Sequence, residues 1–171
     1  MKIIITGTTS GLGLTCKNYF SNYNVVELNR PTYDLDKNLE DFVFDDFDVY
    51  INNAYSNWTQ IDLLYKLFEK NKHKDCKIIN VGSVCSDRTY DRVYPYAIHK
   101  LALDAACNQL QQLDSKCKIV HLKLGRMRTP MTAHRPEPKI DTAIIAKQID
   151  YIIKMDNSVV IKELSIDNFF S

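Results

Sequence analysis

"TGTTSGLG", Thr6 to Gly13, holds three of the five glycines in the 171-residue chain and directly follows the run "KIIIT", Lys2 to Thr6. That run is short, β-branched and apolar without alternation, the pattern of a strand buried on both faces of a parallel sheet. The next stretch, "LTCKNYFSNY", puts Leu14, Tyr19, Phe20 and Tyr23 at spacings that a helix gathers on one side. The glycines therefore mark a strand-to-helix turn. The first N–H groups of a helix are unpaired and form the positive end of its dipole, and glycine lets a phosphate approach them closely. A diphosphate suits such a turn. The plainer alternative is a tight turn whose glycines meet only a positive-φ requirement. The spacing Gly7, Gly11, Gly13 also differs from the G-x-G-x-x-G of the usual dinucleotide fingerprint.

Outward from this turn, apolar β-branched runs recur at "NVVEL" (24–28), "DVYIN" (48–52), "CKIINV" (76–81), "KIVHLKL" (118–124) and "SVVIKEL" (158–164). Helical patterns lie between most of them, over 14–23, 58–71, 96–113 and 142–154. The alternation predicts an α/β protein, a doubly wound parallel sheet with helices on both faces. The segment 29–48 is the least regular, with Pro31 and a short strand expected at "YDL" (33–35). Ligands of such sheets bind beyond the carboxyl ends of the strands. Those ends carry the glycine turn, "NRP" (29–31), "YDL", "NNA" (52–54), "GS" (82–83) and "LGRMRTPM" (124–131).

Bulk properties narrow the function. A chain of this length is expected to form one domain with a sizeable core. Lysine plus arginine number 22 against 21 aspartate plus glutamate, so no overall positive field invites nucleic acid or an anionic membrane. The five cysteines, at 16, 76, 85, 107 and 117, are odd in number and lack a C-x-x-C pair, which disfavours a disulfide framework or a zinc site. His73, His99 and His121 show no metal-ligand spacing, and no metal is assigned. Neither a charged-then-apolar leader nor a membrane-length apolar run is present, and a cytoplasmic location is expected.

In order along the chain, "TGTTSGLG", "NNA", "NVGS", "YAIHK" and "LGRMRTPM" resemble the short-chain dehydrogenase/reductase family over nearly the whole length. The resemblance implies a single Rossmann-like NAD(P)-binding domain over 1–171. It also implies Ser83, Tyr96 and Lys100 as catalytic residues, Tyr96 lying thirteen positions after Ser83 and Lys100 four after Tyr96. The chemistry suits these residue types. A carbonyl accepting hydride needs a proton as charge develops on its oxygen, and a tyrosine hydroxyl can give it. A neighbouring cation is expected to lower the tyrosine pKa, and Ser83 would hold the same oxygen. The family's fourth catalytic residue is an asparagine in the preceding helix; Asn57 is nearest in offset, and could equally be a helix cap or loop residue.

The same resemblance assigns coenzyme contacts to Gly7, Thr9, Ser10, Gly11, Leu12 and Gly13 at the turn. It adds Asp34 and Leu35 against the adenine, Asn53 and Ala54 after the third strand, Met127 and Thr129 after the fifth, and Tyr96 and Lys100 at the ribose. Asn29 stands where NAD users tend to have aspartate, and Arg30 follows it, so NADP(H) is preferred, with NAD(H) possible and Glu27 an alternative carboxylate. Tyr55 replaces a glycine of the family pattern and Leu124 a proline. The region between Asn52 and Ser83 is shortened, and "AHRPEPK" (133–139) stands where a substrate lid is usual. The expected activity is interconversion of a carbonyl and an alcohol by a homodimer or homotetramer acting on a small molecule. The alternative is a non-catalytic NADP(H)-binding redox sensor or scaffold of the same fold.

Overall fold

The computed structural model describes residues 1–42 and 45–169. Six strands, β1 (Lys2–Thr6), β2 (Asn24–Leu28), β3 (Val49–Asn52), β4 (Lys77–Val81), β5 (Lys118–Leu124) and β6 (Glu163–Ile166), form one sheet in the order β2-β1-β3-β4-β5-β6. Every pairing is parallel. The chain starts at the centre, runs to one edge at β2, then crosses back to β3 and continues outward. The strand order thus reverses beside β1, where open α/β sheets place their ligands.

The unbroken isoleucine run of β1 has its reason here, since Ile3, Ile4 and Ile5 are all 0% exposed. Ile3 and Ile5 face α1 (Gly11–Tyr19) and α4 (Thr142–Lys154), within a core that includes Cys16, Ile145 and Ile149. Ile4 faces the other way, toward α2 (Thr59–Asn71) and α3 (Pro95–Leu110), and shares a core with Leu63, Leu64, Leu67 and Leu103. Each such fully buried aliphatic side chain stabilises the fold by about 2 kcal/mol relative to exposure. All five cysteine thiols are free and buried.

Four boundaries differ most from the expectation. Residues 33–35 form a turn, not a strand: Asn38 Oδ1 accepts from Asp34 N at 2.7 Å and Asn38 N donates to Asp34 O at 3.0 Å. These polar side chains compete with sheet pairing for the backbone. A single 3-10 turn at Leu39–Asp41 is the only helix of this crossover among the described residues, and Leu35 and Phe42 fill the core there. The last strand begins at Glu163 because Asp156 caps a turn, accepting from Ser158 N at 2.7 Å and from Val159 N at 3.0 Å. Helices α1 and α3 close at Tyr19 and Leu110, short of the expected 23 and 113. No helix is long and apolar enough to cross a membrane among the described residues.

Candidate active site

The glycine turn is held by side chains from the neighbouring strand ends. Thr6 Oγ1 accepts from the N–H groups of Asn53 and Ala54, both at 2.9 Å, and Asn53 Nδ2 donates to Thr6 O at 2.9 Å. This lattice is the local reason for "NNA" after β3. Gly11 adopts φ 55° and faces Thr129, whose Cγ2 would lie 3.1 Å from a Cβ at that position. At Gly13 a Cβ would stand 2.1 Å from the carbonyl oxygen of Gly7, so only glycine lets α1 pack onto the turn. Ser10 is the N-cap of α1 and makes no side-chain capping hydrogen bond.

A cavity of about 650 Å³ runs along the carboxyl edge of the sheet. Gly7, Thr9, Ser10, Gly11 and Leu12 line it at the turn, Arg30 beside them, and Asn53 and Ala54 next along the edge. Met127 and Thr129 line it beyond β5, where Met127 pairs with Ile140 and so pins the short loop between them. Gly13 lies behind the turn. Three expected coenzyme residues take other places. Asn29 is engaged with the turn itself, accepting from Thr8 N and donating to Thr8 Oγ1, both at 2.7 Å. Asp34 sits in its own hydrogen-bonded turn, and Leu35 is 6% exposed within the core. The other carboxylate near β2, Glu27, accepts from Thr8 and pairs with Lys17 at 2.9 Å, and these contacts hold its pKa down.

Ser83, Tyr96 and Lys100 meet in the wall of the same cavity. Ser83 ends β4 and caps the short 3-10 turn Val84–Asp87, its Oγ accepting from Cys85 N at 3.3 Å. Pro95 opens α3 and places Tyr96 in its first turn, with Lys100 one turn later. The nearby Ser83 hydroxyl favours the ionised form of Tyr96, yet burial dominates and pushes the tyrosine pKa up. The expected lowering by Lys100 is absent. Lys100 is 2% exposed, and its Nζ donates to Gln60 Oε1 and Val81 O, both at 2.8 Å. Burial without a facing carboxylate lowers its pKa to about 7.

Asn57, by contrast, is exposed in the turn before α2, with φ 42°, and lies outside the cavity. Gln60 is the α2 residue that reaches Lys100. Its Nε2 donates to Asn52 O at 3.0 Å and Val81 O at 3.2 Å, which aims Oε1 at Lys100. Offset counting from Ser83 missed it; its place on the inward face of α2, one residue before Ile61, was the available signal. Tyr55, at the glycine position of the sequence pattern, folds over the site. Its ring meets Tyr96 edge-on at 4.9 Å between centroids, Lys100 Nζ stands 5.3 Å from its centre, and its hydroxyl lies 2.9 Å from His99 Nδ1.

Under α3, away from the cavity, the fold gathers Asp104, His121 and Glu163 with ligand atoms within 4.8 Å of one another. Sequence spacing gave no hint of this grouping. Lys123 Nζ already sits on the two carboxylates, at 2.9 Å from Asp104 and 3.2 Å from Glu163, so an ammonium occupies the cation's place.

No family model matches the sequence, and no curated protein matches it. Solved structures do match in fold. An alcohol dehydrogenase from the archaeon Thermococcus sibiricus, complexed with 5-hydroxy-NADP, superposes with a TM-score of 0.79 at 16% identity, covering 96% of this chain and 95% of that one. A 3-ketoacyl-(acyl-carrier-protein) reductase from Brucella melitensis, complexed with NADH, gives 0.76 at 17% identity over 97% and 96%. A short-chain dehydrogenase/reductase from Vibrio parahaemolyticus gives 0.73 at 14% identity over 96% and 98%. The chain has the Rossmann-like fold of these dehydrogenase and reductase structures. At these identities the likeness establishes architecture, and activity has to be argued from the site.

Proposed function

We propose that the protein is an NADP(H)-dependent oxidoreductase that interconverts a carbonyl compound and an alcohol. The observation that carries this reading is that Ser83, Tyr96 and Lys100 face the cavity whose other end is the glycine turn. The residues present fit a nicotinamide dinucleotide: the turn offers uncapped helix N–H groups, and its glycines leave open the space that a Cβ would fill. Thr9, Ser10, Gly11 and Leu12 would receive the diphosphate together with Thr129, while Asn53 and Ala54 border the ribose and Met127 the nicotinamide amide. Arg30 would pair with a 2′-phosphate. The carboxylate that would instead favour NAD, Glu27, is already held by Thr8 and Lys17.

The bound coenzyme would supply or accept the hydride. Ser83 and Tyr96 would hold the carbonyl oxygen, and Tyr96, kept protonated by burial, would give it the proton during reduction. Lys100 would contact the ribose and restore the tyrosine proton, with Gln60 as the residue that positions it. Exposed Ile98 and Leu101 on α3 support self-association of a cytoplasmic protein, as a homodimer or homotetramer. A second reading, a non-catalytic NADP(H)-binding sensor or scaffold, is favoured by one feature: Lys100 Nζ is bonded to Gln60 and Val81 and stands 5.6 Å from the Tyr96 ring centre.

The test is NADPH oxidation over a panel of carbonyl compounds, with Tyr96→Phe as the comparison. Loss of one hydroxyl should cut turnover at least about 100-fold while coenzyme affinity changes less than about twofold. A variant that keeps most of the rate removes Tyr96 from the mechanism. An inactive wild-type protein whose partner binding responds to NADPH supports the second reading.

A further inference from the structure

We infer that the substrate is a small carbonyl compound bearing an anionic group, a phosphate or a carboxylate, held by arginines at the β4–β6 end of the cavity. This rests on the oxidoreductase reading and adds the substrate class. Over the whole chain acidic and basic residues nearly cancel. The cavity does not share that balance. Beyond Ser83 it is lined by Arg88, Arg92, Arg126 and Arg135, against one carboxylate, Asp167. Arg88 pairs with Asp167 at 2.5 Å, and Arg126 with Glu137 at 3.3 Å. Arg92 and Arg135 are exposed and make no contact ion pair among the described residues, Arg135 acting on Glu137 only at longer range, so neither guanidinium fork is filled by a carboxylate where a substrate would lie. Arg30, the cation proposed for the coenzyme, stands at the opposite end of the sheet edge, after β2.

The segment "RTYDRVY", 88–94, shows how this wall is made. Only Arg88, Tyr90, Arg92 and Tyr94 line the cavity, while Asp91, Thr89 and Val93 do not. The chain bends at Asp91 and Arg92, and in this course both arginines and both tyrosines reach the cavity while the acidic residue does not. The tyrosines continue to the reacting group. Tyr90 meets Tyr94 edge-on at 4.8 Å between centroids, and Tyr94 lies 5.8 Å from Tyr96. Arg92 is seated over the Tyr94 ring at 5.2 Å. A substrate with its carbonyl at Ser83 and Tyr96 would rest its body on this aromatic wall and present its acid group to the guanidinium forks. Planar five-donor forks are matched to carboxylate and phosphate geometry, and a cleft lined by one sign of charge concentrates ions of the other.

The test uses matched probes: dihydroxyacetone phosphate against dihydroxyacetone, and acetoacetate against its ethyl ester. Each is titrated calorimetrically into the NADP-saturated protein, so that the glycine turn is already filled, and each is assayed for NADPH oxidation. The charged member of at least one pair should bind about tenfold or more tightly than its neutral mate, and Arg92→Gln/Arg135→Gln should remove that preference. Which pair responds distinguishes phosphate from carboxylate. Equal binding within both pairs, no binding by any probe, or a preference that survives the double variant overturns the inference. NADP titration of the unliganded protein separates the two levels of argument. If the coenzyme does not bind, the oxidoreductase reading fails, and the same calorimetry without coenzyme still decides whether the arginines take the anion.

Discussion

The half of the cavity beside β1 and β2 is built from main chain, and the half beside β4 and β5 from side chains. At the first end, Thr6, Asn53, Thr8 and Asn29 do not face a ligand so much as hold the backbone of the glycine turn in place. At the second, Tyr96, Lys100 and the arginines line the cavity themselves, with Gln60 buried behind Lys100. A main-chain site tolerates little change in shape, because its donors are fixed by the fold. A side-chain site tolerates change in shape and depends on charge. The two ends should therefore fail in different ways.

The largest expected effect is at the main-chain end. Gly13→Ala would push a methyl group to 2.1 Å from the Gly7 carbonyl oxygen and 2.8 Å from Asn53 Nδ2, so β1 and α1 must separate. Overpacking of this kind costs about 3 kcal/mol, and the better helix propensity of alanine offsets about 1 kcal/mol. Urea unfolding should show a net loss of about 2 kcal/mol or more, together with lost nucleotide binding. Wild-type stability in this variant would mean that the turn is compliant and that the comparison with the side-chain end is misplaced.

The same contrast explains what the sequence revealed. Conformational demands that only glycine meets leave a mark in composition, so the turn Gly7 to Gly13 was legible, as were the parallel sheet from the alternation of strands and helices and the two-sided burial of β1 from its unbroken isoleucine run. Ser83, Tyr96 and Lys100 were singled out by the family resemblance, and the structure brings the three to one cavity wall. Asn29, Asp34 and Leu35 were assigned to the coenzyme by position along the second strand and the loop after it. Their hydrogen bonds and burial are local tertiary facts, and they place Asn29 on the turn and the other two in loop and core. Gln60 escaped because its role depends on which residue of α2 points at the ends of β3 and β4. The arginines and tyrosines of "RTYDRVY" were visible as residues, but only the folded cavity shows that they line one wall.

The middle effect concerns the buried ammonium at the side-chain end. In the unfolded chain lysine keeps its proton up to about pH 10.4, whereas Lys100 in the fold gives it up near pH 7. Between those values the unfolded state binds more protons, so stability rises with pH across that window and is lost as pH falls toward 7. Lys100→Met removes this dependence. Measured without coenzyme, the stability of wild type relative to Lys100→Met should increase by about 1–2 kcal/mol from pH 7 to pH 9. A constant difference would show that Lys100 stays charged in the fold, hydrated or paired beyond its bonds to Gln60 and Val81.

The smallest effect returns to the main-chain end and its one charged side chain. Arg30 lines the cavity at the exit of β2, no carboxylate there is free of other partners among the described residues, and the turn would supply the remaining contacts through backbone. Arg30→Ala should therefore weaken NADPH binding about tenfold while leaving NADH binding nearly unchanged, one charge-assisted pair being worth about 1.4 kcal/mol. Fluorescence titration with both nucleotides measures this directly. Equal loss for the two would place Arg30 at the diphosphate, which both share. No loss for either would leave the 2′-phosphate to Lys17, whose Nζ is held 2.9 Å from Glu27. A Lys17→Ala variant would then carry the preference, and the main-chain end would owe its selectivity to the helix that packs on the turn instead of the strand beside it.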